Sequence, residues 1–83
     1  MQGRKVINEN GDLPEIGDYW LVSFGVTRYW LARTPCGLVA SLKNHEVIEH
    51  EDGTITASPS ILVTGWDGTS WHGYLERGVW REV

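Results

Sequence analysis

The sequence predicts an all-β domain: a small antiparallel meander that forms a curled sheet or a partly open barrel and assembles as a homo-oligomer. Three observations predict it. Short apolar or alternating segments recur roughly every eight to twelve residues between Gly, Pro, Asn and Asp clusters, which is the spacing of strands and hairpins. No segment sustains a helical period. The 83 residues make one small domain, and five Trp, three Tyr and one Phe supply the bulk that so short a chain needs for a core.

Residues 4–8 read as a short edge strand, followed by the turn Asn10-Gly11-Asp12 and a connecting loop to residue 17 that contains Pro14 and Gly17. The antiparallel core is expected over residues 18–83. Residues 19–24 and 28–33 flank Gly25-Val26-Thr27, a three-residue hairpin loop with a glycine available for positive φ. With Phe24 opposite Arg28, one face carries Trp20, Val22, Phe24, Trp30 and Ala32, and the other carries Tyr19, Leu21, Tyr29 and Leu31. Both faces are apolar, so each must be covered, by a second layer of the same chain or by another subunit.

The turn Thr34-Pro35-Cys36-Gly37 leads into a strand over residues 38–43. Leu42, Val47 and Ile48 would share a helical face, but residues 45–50 running into Glu51-Asp52-Gly53 favour a strand and turn. Pairing is expected at 54–57, an interruption at Ser58-Pro59-Ser60, where proline lacks an amide hydrogen, and resumption at 61–64. Asp67-Gly68-Thr69-Ser70 is read as a four-residue loop that sets Trp66 opposite Trp71. Residues 71–76, the turn Arg77-Gly78 and residues 79–83 complete a terminal hairpin, which makes the C-terminus part of the fold.

Composition excludes several functions. The lone Cys36 can form no internal disulfide, which fits a reducing compartment. The polar first twelve residues lack a signal-peptide core, and no apolar run spans a bilayer, so the expected location is the cytoplasm of a host cell with no membrane partner. Eleven acidic against seven basic residues leave a formal charge of −4, which opposes binding to duplex nucleic acid.

The residues also argue against catalysis. Cys36 has no neighbouring His in sequence, and Ser58 and Ser60 lack the Gly-x-Ser-x-Gly elbow. A zinc site would have to combine Cys36 and His72 with His45 or His50, none of them at ligand-motif spacing. Phosphate-binding glycine motifs are absent, and no cofactor is expected. What remains is an inventory of aromatic rings interleaved with arginines. Rings stack on planar bases and guanidinium groups pair with phosphates, so Arg28, Arg33, Trp66, Trp71, Tyr74 and Arg77 are the candidate ligand-binding residues.

Pro35-Cys36-Gly37, the run Asp52-Gly53-Thr54-Ile55-Thr56-Ala57-Ser58-Pro59-Ser60-Ile61, and the run from Trp71-His72-Gly73-Tyr74 to Trp80 carry a further signal. Over Pro35 to Trp80 the chain resembles a family of short uncharacterised phage and bacterial proteins often labelled ammonia monooxygenase, a label for which these residues offer no chemical basis. In that family a cysteine precedes the equivalent of His72 and further cysteines suggest a metal. Here Trp71 stands at that place and the other cysteines are missing. The resemblance implies a phage or prophage setting.

The function expected from these readings is a non-enzymatic anti-defence protein that sequesters a nucleotide-derived immune signal, with subunit interfaces forming the pocket. One alternative is a protein–protein inhibitor of a host factor, in which Glu46, Glu49, Glu51 and Asp52 cover a basic surface. The other is a small zinc-binding protein.

Overall fold

Glycines at positive φ divide the chain into short strands in the computed structural model, which describes all 83 residues. The strands are β1 (Arg4–Lys5), β2 (Asp18–Phe24), β3 (Thr27–Arg33), β4 (Val39–Ser41), β5 (Glu46–Glu49), β6 (Ile55–Thr64), β7 (Ser70–Glu76) and β8 (Val79–Glu82). There is no helix, and so none long and apolar enough to cross a membrane.

The all-β expectation is met, but the single curled sheet is replaced by two four-stranded sheets in the orders β1-β2-β3-β4 and β5-β6-β7-β8. All pairings are antiparallel except β1 with β2, which is parallel. The sheets separate at a corner. The Leu42 amide makes the last bond to β3, donating to the Trp30 carbonyl at 2.9 Å, and the His45 amide then donates back to the Leu42 carbonyl at 3.0 Å. That turn sends β5 away from β4, and the two do not pair.

One core lies between the sheets. Tyr19, Trp30, Ala32, Ala40 and Leu42 enter from the first, and Ile55, Ala57, Ile61, Trp71, Leu75 and Trp80 from the second. Strict alternation along β7 turns Trp71, Gly73 and Leu75 inward. Trp71 meets Trp80 edge to face at 5.4 Å, and the Trp80 indole N–H donates to the Gly17 carbonyl at 2.9 Å.

Residues 1–3 close the other side. The Trp80 amide donates to the Met1 carbonyl at 2.8 Å, and the Gly3 amide to the Gly78 carbonyl at 2.6 Å, before the chain crosses to pair β1 with β2. One segment therefore edges both sheets. The edge strand expected over 4–8 is confined to Arg4–Lys5.

Three sequence expectations need correction. The first hairpin turns on two residues, not three: Phe24 faces Thr27, and Gly25, at φ 63°, takes the first turn position where only glycine is at ease. This one-residue difference changes the partnering, so that Tyr19, Leu21, Trp30 and Ala32 share the inward face. Second, Trp66 does not face Trp71. The Gly65 amide donates to the Thr69 carbonyl at 2.7 Å, so the chain closes below Trp66, Val63 faces Trp71, and Trp66 is left fully exposed in the loop. Third, the interruption at Ser58-Pro59-Ser60 is one-sided. Ser58 keeps its partner Glu46 on β5, while the ladder to β7 shifts register between Ala57 and Ile61.

Candidate functional site

The corner between β4 and β5 leaves a groove that follows from chain geometry. The β2–β3 hairpin runs beyond the area covered by the second sheet, so its inward face is buried at Tyr19, half-buried at Leu21 and exposed at Ser23 and Arg28. Leu21, Arg28 and Trp30 form one wall, Leu42, Lys43 and His45 the corner, and Val47 of β5 the opposite wall, with Tyr29 at the rim. Lys43 Nζ stands 5.9 Å from the centre of the Tyr29 ring. Lys5 reaches across from β1, 5.7 Å from the Trp30 ring centre, to pair with Glu49 at 2.6 Å.

The electrostatics of this groove differ from the rest of the surface. Of seven Lys and Arg residues, Arg4, Lys5 and Arg81 pair with Asp18, Glu49 and Glu76. Arg33 donates to the carbonyls of Gly37 at 3.0 Å and Pro14 at 2.8 Å. Arg28, Lys43 and Arg77 have no carboxylate partner, and two of these three line the groove. An acidic chain thus holds two uncommitted cations beside aromatic and aliphatic side chains. Such a place suits an anion that also carries apolar or planar surface.

His45 adds a fixed polar edge. Its Nε2 lies 3.2 Å from the Ser60 carbonyl, which can only accept, so Nε2 carries the proton. Nδ1 is buried without a partner.

The six residues singled out from the sequence do not converge. Arg28 lines the groove. Arg33 is spent on backbone carbonyls. Trp66 projects from the β6–β7 loop, and Trp71 is a core ring. Tyr74 lies on the outer face of the second sheet beneath Arg81, whose guanidinium is 5.1 Å from the ring centre. Arg77 sits at φ 46° in the β7–β8 turn, in a polar cleft with Glu49, His50, Glu51 and Asp52. Lys43, His45 and Val47 were missed, because the groove forms across a corner and leaves no local spacing in the sequence.

The remaining reactive side chains are occupied one by one. Cys36 Sγ is 3.2 Å from the Thr34 hydroxyl, His50 Nε2 is 2.7 Å from Thr56 Oγ1, and His72 Nε2 is 2.9 Å from Ser60 Oγ. No three His, Cys, Asp or Glu side chains gather as metal ligands would, so the zinc arrangement of Cys36 and His72 with His45 or His50 is not assembled. Comparison with protein-family models, with curated proteins and with solved structures returns no match.

Proposed function

We propose that this chain is a non-enzymatic recognition module that sequesters a small nucleotide-derived anion in the groove between the β2–β3 hairpin and β5. Arg28 and Lys43 take the phosphate charge, and the aliphatic walls Leu21 and Val47 receive the base. The observation that carries this reading is the pair of cations left without carboxylate partners in an acidic protein whose other accessible basic groups are mostly committed. The likeness of residues 35–80 to short phage proteins supplies the setting: removal of an immune signal in the cytoplasm of an infected host. Assembly into a homo-oligomer belongs to the same reading and is supported by the hairpin tip, where Phe24 is 81% and Val26 103% exposed. Native mass spectrometry reads subunit number and retained ligand together.

Isothermal titration with cyclic and ADP-ribose-type nucleotides tests the ligand. Binding is expected to weaken about tenfold or more in Arg28→Ala and in Lys43→Ala, the loss of a charged hydrogen bond, and to fall with added salt. Absence of heat with every nucleotide overturns the reading.

A second reading, a protein–protein inhibitor, is supported by the β5–β6 hairpin, which exposes Glu46, Glu49, Glu51 and Asp52 together. Capture of a basic host protein that is lost on reversing Glu46 and Glu51 to lysine supports it. Capture indifferent to those charges counts against it.

A further inference from the structure

A β-strand at a sheet edge presents unpaired amides and carbonyls, and of the four edges β1, β4, β5 and β8 two are shielded. Residues 1–3 cover β8, and β1 is only two residues long. β4 and β5 stay open, and Val47 of β5 lines the groove. The His50 amide donates to the Thr54 carbonyl at 2.8 Å, which identifies residues 50 and 54 as a hydrogen-bonded pair of the β5–β6 ladder. Alternation then makes Ile48 with Thr56 and Glu46 with Ser58 bonded pairs as well. Val47 and Glu49 therefore point their N–H and C=O groups away from β6, and no other backbone or side chain in the molecule bonds to them. Val47 is also a wall of the groove that holds Arg28 and Lys43.

We infer that this edge is a docking site for an extended peptide that adds to the second sheet as a fifth strand beside β5. The peptide's chemistry follows from the two faces it would meet. Side chains turned into the groove face Leu21, Trp30 and Val47 together with the cations Arg28 and Lys43, and so call for aliphatic and carboxylate groups. Side chains on the opposite face lie beside Glu46 and Ile48, which are exposed, and call for neutral or basic groups. The peptide would share the groove with the proposed nucleotide, but its docking rests on the Val47 and Glu49 backbone groups, which neither the nucleotide nor the acidic-surface reading engages.

The test uses the full chain and fluorescein-labelled eight-residue peptides in which leucine and glutamate side chains alternate with threonine, against the same composition scrambled. Binding of the alternating peptides is expected to slow hydrogen exchange at the Val47 and Glu49 amides. In Val47→Pro the outward N–H of the edge is lost while the ladder to β6 keeps all its bonds, as proline permits on an edge. Peptide affinity should fall about tenfold, with the Ile48 amide still protected as evidence of an intact sheet. Equal binding of scrambled peptides, unchanged exchange at Val47 and Glu49, or full affinity in folded Val47→Pro overturns the inference. Nucleotide titration of the same variant separates the proposals, since loss of peptide binding alone leaves the nucleotide reading untouched.

Discussion

Asp52 and Asp67 show how a single carboxylate organises a turn. Asp52 Oδ1 accepts from the Thr54 amide at 3.0 Å and the Thr54 hydroxyl at 2.6 Å, and Asp67 Oδ1 accepts from the Thr69 amide at 3.0 Å. The bonds from Thr54 and Thr69 hold both carboxyls below the ordinary aspartate value of 3.8. A carboxyl depressed in the folded state stabilises above its unfolded pKa, and that contribution disappears as pH falls through the folded value. The Thr54 and Thr69 amide resonances should therefore move with midpoints below 3.8 in an NMR titration, and midpoints at or above 3.8 would contradict the turn geometry. Burial acts in the opposite direction on Tyr19, raising its hydroxyl pKa because the phenolate would lose water. Arg33 is a caution in the same vein: an arginine that looks available in sequence is consumed by two carbonyls in the fold.

Strand β7 is the element on which the core depends. Its inward residues are Trp71, Gly73 and Leu75, and the Trp71 ring covers the place where a side chain at residue 73 would go, with the Arg81 carbonyl on the other side. Gly73→Ala should cost about 1–3 kcal/mol by overpacking, read as a lower midpoint in urea with unchanged slope. Leu75→Ala, at a fully buried site, should cost about 2–5 kcal/mol by the opposite fault, a cavity. The β2–β3 hairpin obeys different rules. Its tip is exposed and its register is set by the turn, so Gly25→Val is expected to disturb pairing of Phe24 with Thr27 while leaving the core rings in place. This element was half legible. Two adjacent aromatic strands around a glycine announced a hairpin, but a two-residue and a three-residue loop differ by one residue and change which side chains lie across from each other.

Closure of the whole molecule depends on residues 1–3, which bond to β8 before the chain enters the first sheet. A Cβ at Gly3 would lie 2.6 Å from the Gly17 carbonyl oxygen and 2.9 Å from the Trp80 indole nitrogen, so Gly3→Val should loosen both sheets together. Fluorescence of Trp80 and of the β2–β3 hairpin should then unfold in one transition at a lower temperature; separate transitions would mean that the sheets are independent. The groove is also a property of the whole, since Arg28, Lys43 and Val47 come from three parts of the chain and meet only because β5 leaves β4 at a corner. Strand identity, the turns at Asp52-Gly53 and Arg77-Gly78, and the absence of helices could be read from residue order, because alternation and glycine placement are local effects. The division into two sheets, the hairpin register and the groove could not. They depend on which backbone groups remain unpaired after local structure has formed, and that is decided by contacts between residues far apart in the chain.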